Sequence, residues 1–300
     1  MKIRLVKRAD IVKEKWDGCV HYAHNGNVFG YTWYLDTVAK DWVGLVEGDY
    51  LSVFPLVYQK QWNGTMELYQ PPLMRSMGIY SVKVLSAIRI QSFLEAIPSQ
   101  YKKIDITLGE RNRPPRDESF KVLPLQNHIV PLHESYETIS KKYTNGFKSR
   151  LDHSEDQELQ AMPSVKPEKM AGWFREFGKA TKGVDAQFHA LQRIMYNVMH
   201  RGTGFATGIQ HPDTAEMLAA NFYIFSHGRM LSLLPLVRPG TEDSGAMELL
   251  LDLMIRSNVK RPLVLDFNTN KKEDLLTSIG AQVETFYRIK RSRNILGLSY

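Results

Sequence analysis

The chain has one cysteine, Cys19, so it contains no intramolecular disulfide, and a reducing, cytoplasmic setting is expected. No apolar run approaches the roughly eighteen residues of a membrane span, and membrane insertion is not expected. The basic start, Met1–Arg8, is not followed by an apolar stretch of signal-peptide length. Gly-x-Ser-x-Gly, the P-loop lysine motif and Gly-x-Gly-x-x-Gly are all absent, which removes three common catalytic and nucleotide-binding signatures. Cys19-x-His21-x-x-His24 has no second cluster to complete a tetrahedral site, so no metal is expected. Asp152, Glu155, Asp156 and Glu158 form a solvated acidic face.

The excess of one charge sign is modest, 39 Lys and Arg against 32 Asp and Glu. The net charge is +7 and the isoelectric point about 9.3, spread along the chain. That suits a phosphate-bearing ligand or a nucleic acid, and equally ordinary solubility, unless the charge clusters on one face.

Core material, by contrast, is ample. With 300 residues and 43% hydrophobic side chains, the chain can form two compact units. In the first half, strands are expected at Lys2–Val6, Met66–Tyr69 and Ile104–Leu108, a hairpin over Trp42–Tyr58, and a helix near Ser86–Ile97. Lys121–Leu132 reads as another strand. In the second half, Tyr136, Ile139, Tyr143, Phe147 and Leu151 recur at three and four, predicting one helix. Two more helices, a hairpin over Met217–Val237, a helix at Met247–Asn258 and a strand at Leu263–Asn268 come next. A helix at Lys272–Ile279 closed by Gly280, and a strand at Gln282–Lys290, end the series. The fold class expected is α/β with a mixed sheet, in two domains, 1–130 and 131–300.

Gly-x-x-Leu-Ser-x-x-Pro-Leu-Val occurs twice, at Gly48–Val57 and Gly228–Val237. Proline removes a ladder donor and belongs at an edge or bulge, so Pro55 and Pro235 suggest one device used in two hairpins. The two copies lead into different elements. Val57 leads to another strand and Pro71-Pro72, whereas Val237 leads through Arg238–Gly245 into a helix. The unpaired N–H groups and dipole of such a helix start suit a pyrophosphate.

Strand, glycine-bearing turn, helix, strand ending in Asn, short helix, Gly-Ala and last strand together resemble the second half of a GNAT N-acyltransferase. Val264–Asn270, Ser278-Ile279-Gly280-Ala281 and Tyr287-Arg288-Ile289-Lys290 look more narrowly like the FemAB-like branch, which carries two tandem GNAT-like domains. Trp42–Leu56, Tyr69-Gln70-Pro71-Pro72 and Gly78-Ile79 extend the likeness over nearly the whole chain. One motif departs. The family's Gln/Arg-x-x-Gly-x-Gly/Ala is here Thr241-x-x-Ser244-Gly245-Ala246, without the leading basic or amide residue and the first glycine.

The resemblance implies acyl transfer from acyl-CoA, a co-substrate rather than a bound cofactor, to a small-molecule or peptide amine. Backbone groups of Leu236, Val237 and Arg238 would hold the acyl carbonyl, and Ser244, Gly245 and Ala246 the phosphate. Asp266, Asn268 and Tyr287 are the implied catalytic residues, with Glu242 and Asp243 as further base candidates. Tyr69, Gln70 and Arg75 would meet the acceptor. A Fem-like variant would instead draw an amino acid from aminoacyl-tRNA for a peptidoglycan-precursor amine. Lys141, Lys142, Lys148, Arg150, Arg288, Lys290, Arg291 and Arg293 would then meet tRNA phosphates. A non-catalytic ligand-binding or scaffold protein is the third reading, and oligomeric state is open.

Overall fold

The computed structural model describes residues 2–115, 119–177 and 184–292. It divides into two compact units, Met1–Gln126 with Thr285–Tyr300, and Asn127–Glu284. The sequence points to a cut at 130/131; in the structure the cut falls at 126/127 and the last strand returns to the first unit.

In chain order the elements are β1 (Ile3–Lys7), α1 (Lys13–Tyr22), α2 (Thr32–Val38), β2 (Asp41–Glu47), β3 (Ser52–Lys60), β4 (Met66–Tyr69), the short β5 (Tyr80–Ser81), α3 (Ala87–Glu95) and β6 (Tyr101–Leu108). Then come β7 (Lys121–Pro131), α4 (Tyr136–Ser140), α5 (Asn145–Asp156), β8 (Gln160–Met162), α6 (Pro167–Phe177), α7 (Val184–His200), β9 (Gly204–Gln210), β10 (Met217–Ser226), β11 (Arg229–Ser232) and β12 (Leu236–Val237). Last are α8 (Ala246–Arg256), β13 (Val264–Asp266), α9 (Asp274–Ser278) and β14 (Gln282–Ser292).

Both units carry the same ladder. In the first, β1, β2, β3 and β4 pair antiparallel in turn, β4 runs parallel to β6, and β6 pairs antiparallel with β14. In the second, β8, β9, β10 and β11 pair antiparallel, β11 runs parallel to β13, and β13 pairs antiparallel with β7. Each sheet's sixth strand thus comes from the other half of the chain. β7 follows β6 in sequence but joins β13, and β14 follows β13 but joins β6.

The strand order corrects the expectation drawn from the repeated segment. Gly48–Val57 spans the turn into a third strand, β3, whereas Gly228–Val237 spans the turn into a fourth, β11. Pro55 lies within β3 opposite Gly44, between the residues that pair with β5 and those that pair with β4. Pro235 lies outside any ladder, between β11 and β12. The duplication is real in the topology, but the matching letters fall on non-equivalent hairpins.

A second correction concerns Tyr136–Leu151, which is two helices. The Thr144 side chain accepts the Phe147 N–H and starts α5 as an N-cap. The three-and-four spacing persists across the break because Ile139, Tyr143 and Phe147 all enter one core with Val130, Tyr223, Leu250 and Leu265. In the first unit, α3 lays Phe93 against Phe54 of β3, ring centroids 6.4 Å apart. Burying each such side chain contributes about 1.5–3 kcal/mol.

Candidate functional site

The feature that distinguishes the second unit begins where its parallel strands part. β11 and β13 pair at Arg229↔Val264, Met230↔Leu265 and Leu231↔Asp266, and the ladder ends there. The chain beyond β11 stays with β10: the Leu233 N–H donates to the Phe222 carbonyl at 2.8 Å, and β12 pairs at Leu236↔Ala220 and Val237↔Ala219. From Ser232 to Leu236 there are four steps on this strand, facing three from Tyr223 to Ala220 on the other. The extra residue is a β-bulge at Leu234–Pro235, where proline has no N–H to give the ladder.

The bulge sets which amides face the gap. The Arg238 N–H donates to the Leu218 carbonyl at 2.8 Å, so it is committed to β10. Successive amides of a strand point to opposite sides, which turns the Val237 N–H away from β10 and into the gap. Of Leu236, Val237 and Arg238, Val237 is therefore the one whose N–H faces the gap. The Arg238 side chain is also engaged, with Glu216 at 2.9 Å and the Met217 carbonyl at 3.0 Å.

At the other side of the gap β13 ends in a tight polar knot. Asp266, fully buried, pairs with Arg229 at 2.8 Å and accepts the Asn127 amide and the Asn268 N–H, each at 2.9 Å. Asn268 comes next in a left-handed conformation, φ +57°, which asparagine tolerates better than most residues. Its Oδ1 is buried and accepts no hydrogen bond among the described residues. His128, across the sheet, carries a second orphan. Its Nδ1 stands 3.0 Å from Thr269 Oγ1, while Nε2 is buried without a partner among the described residues. Burial lowers the pKa of this imidazole, with Glu273 pulling the other way. His128, Asn127, Arg229 and Thr269 were not among the residues expected from sequence. The visible signal was the polar pair Asn127-His128 interrupting the apolar end of β7.

A cavity of about 470 Å³ opens on Val237 and is lined by Phe147 and Arg150 of α5, Met247 and Glu248 of α8, and Asp274 of α9, among others. Glu242 of the expected phosphate turn lines it, whereas Ser244, Gly245 and Ala246 are not among its lining residues. Gly245 (φ +75°) packs so tightly that a Cβ there would stand 2.2 Å from the Arg150 carbonyl oxygen. Ser244 Oγ donates to the Thr241 carbonyl at 2.7 Å, and the Ala246 N–H is turned onto Ser244 Oγ at 3.3 Å. Glu248 is buried near its own backbone amide. Burial pushes its carboxyl up, against the pull of that amide and of Arg150, whose Nε is 3.5 Å away. Arg150 also pairs with Asp243 at 2.9 Å. Glu242 and Asp243 are exposed, and Glu242 accepts the Gly240 N–H at 2.9 Å.

In the first unit the equivalent gap is plugged. β4 and β6 pair as far as Tyr69↔Asp105. Beyond that, Gln70 Oε1 accepts the Thr107 N–H at 3.0 Å, Gln70 Nε2 donates to the Met74 carbonyl, and the Met77 N–H donates to the Thr107 carbonyl at 2.7 Å. Arg75 is buried in an ion pair with Glu110 at 2.6 Å and lies over the Phe286 ring. Tyr69 is half-buried, and burial, then Asp41, raises its phenol. Tyr287 also belongs to this unit, opposite Leu108 in the β14–β6 ladder.

The expected tRNA-facing cations are mostly occupied. Lys142 pairs with Glu134, Arg288 and Lys290 share Asp105, and Arg291 covers the Phe120 ring. Lys141 and Lys148 are exposed, and Arg293 lies outside the described residues. Among the described residues no three His, Cys, Asp or Glu side chains stand together as metal ligands, and no helix is long and apolar enough to cross a membrane.

No family model matches the chain, and no curated protein sequence matches it. Solved structures do match. FemX aligns over 96% of this chain and 97% of its own, with a TM-score of 0.61 at 9% identity. L-PGS from Bacillus licheniformis aligns over 94% and 93%, with 0.55 at 12%. A tandem GNAT protein from the clavulanic acid biosynthesis pathway aligns over 96% and 98%, with 0.50 at 9%. At these identities the likeness is one of fold, and it agrees with the duplicated six-strand ladder and the single open gap: this chain has a tandem GNAT-like fold, similar to that of FemX.

Proposed function

We propose that the second unit is an N-acyltransferase that moves an acyl group onto an amine at the gap between β11–β12 and β13. The observation that carries this reading is the bulge at Leu234–Pro235, which leaves the Val237 N–H facing the gap beside the cavity that opens on Val237. An amine nitrogen attacks the acyl carbon, and the carbonyl oxygen takes up negative charge against the Val237 N–H. The bond to the leaving thiol or hydroxyl then breaks, and the amine's proton passes out through a base. Asn268 and Asp266 shape the end of β13 facing this step. The acceptor is a small-molecule or peptide amine.

Acyl-CoA is the donor that the fold suggests first. A specific observation favours the second donor, an aminoacyl ester of tRNA. The α8 turn that would grip a pyrophosphate is packed against Arg150, and the adjoining wall presents the carboxylates of Glu242, Glu248 and Asp274. Such a wall disfavours a pyrophosphate seated inside the cavity and tolerates a cationic aminoacyl group there, with the tRNA phosphates outside it.

Calorimetric titration with acetyl-CoA and with charged tRNA, each at moderate and high salt, separates the readings. Binding of charged tRNA that weakens steeply with salt supports the ester donor. Salt-tolerant binding of acetyl-CoA supports the thioester. If neither binds, the chain keeps the fold without the chemistry, and the proposal is wrong.

A further inference from the structure

A second cleft, of about 700 Å³, lies wholly in the first unit. It sits at the end of the sheet where β4 and β6 begin, opposite the end where their ladder meets the Gln70 plug. Among its lining residues are Val43, Met66 and the rings of Tyr58 and Tyr101, whose centroids are 5.8 Å apart. One wall is rigid. Arg8 binds Asp36 through two hydrogen bonds of 2.7 Å and lies over the Trp42 ring, whose Nε1–H donates to Asp36 at 2.9 Å. That pairing neutralises Arg8 and Asp36. The rim carries Lys7, Lys40 and Asp41, all exposed, which leaves the cleft with a net positive charge.

We propose that this cleft binds a nucleoside phosphate. Tyr58 is half-buried in the cleft lining and offers an aromatic surface on which a base can stack. Lys7 and Lys40 make no ion pair among the described residues and can take a phosphate, while Asp41 and Gln100 can accept ribose hydroxyl or base amine hydrogens. A pocket of this volume accommodates a mononucleotide. The acyl-transfer chemistry above involves none of these residues, so the inference stands independently of it. The same chemistry could come from a free nucleotide or from the end of an RNA strand.

The test is titration of the full chain with AMP, UMP, ribose 5-phosphate and inorganic phosphate, followed by tryptophan fluorescence, since Trp42 lines the cleft. AMP or UMP should bind at least about tenfold more tightly than ribose 5-phosphate, the share a stacked base provides. Tyr58→Leu should abolish that difference, and Lys7→Glu with Lys40→Glu should weaken every phosphate ligand, with melting temperatures held as a control on folding. A single-stranded RNA tetramer that competes with AMP and binds more tightly assigns the RNA end. A tetramer that does not compete assigns the free nucleotide. Equal binding of AMP and ribose 5-phosphate, no binding of any of them, or a Tyr58→Leu variant that folds and binds AMP normally overturns the proposal.

Discussion

Gly245 lies so close against the backbone of Arg150 that a Cβ at this position would meet its carbonyl oxygen at 2.2 Å. The contact joins the start of α8 to α5 and fills the turn where a phosphate site is expected from the sequence. Its left-handed φ of +75° adds to the demand for glycine. Gly245→Ala is therefore expected to destabilise the second unit by about 2 kcal/mol or more, from strain and clash together. Urea denaturation measures it, and a loss under about 0.5 kcal/mol would show that α5 yields freely there.

Glu248 provides a pH signature in the same wall. Its folded-state pKa is raised, by burial first, so the charged form is the one that folding disfavours. The penalty is present at neutral pH and is relieved as pH falls through the raised folded pKa towards the ordinary carboxylate range. Relative to Glu248→Gln, the wild type should gain stability as pH is lowered from neutrality towards that range. Parallel melting-temperature curves for the two proteins over this interval would contradict the assignment.

The buried knot under β13 makes an asymmetric prediction. Arg229 binds both Asp266, fully buried, and the half-buried Glu284. Arg229→Met strands a buried carboxylate and should cost about 3–5 kcal/mol. Glu284→Gln leaves the inner pair intact and should cost about 1 kcal/mol or less. Chemical denaturation of the two variants decides it, and equal losses would mean that the inner pair does not dominate.

These elements were legible in the sequence to very different degrees. Gly280, just past α9 at φ +69°, was readable because it acts within one turn of its own position. The bulge at Pro235 was readable because proline's missing donor constrains the backbone wherever it sits. The strand exchange was not. Nothing local in Gln282–Ser292 distinguishes pairing with β13 from pairing with β6, since both offer an apolar parallel-strand edge. The repeat misled for a related reason. Leu-Ser-x-x-Pro-Leu-Val records an inward-facing strand after a turn, a pattern that a third strand and a fourth strand share. A lone histidine in a strand, such as His128, carries no spacing signal, and its unpartnered Nε2 becomes visible only with its surroundings.

Val237→Pro tests the catalytic reading at a single atom. The substitution removes the N–H that faces the gap while the amides of Leu233 and Arg238 keep their bonds to β10. Loss of an oxyanion donor slows turnover by about a hundredfold or more. With a donor and acceptor established, kcat should fall by that order while donor affinity changes little. Full activity in a folded Pro variant would place the carbonyl elsewhere.

Gln70 decides why only one of the two duplicated sheets keeps an open gap. Its side chain occupies the Thr107 N–H on β6, beyond the last β4–β6 pair, whereas the matching Asn268 N–H past β13 is held by Asp266 of its own strand. Gln70→Ala should leave that buried amide without a partner and cost about 1–3 kcal/mol. Gln70→Glu retains an acceptor at the same place and should recover most of the loss at neutral pH. Hydrogen exchange at Thr107 supplies the second readout. Its amide should be protected in the wild type and in Gln70→Glu and should exchange markedly faster in Gln70→Ala. If it stays protected in the alanine variant, the neighbouring segment through Met77, not Gln70, closes the gap.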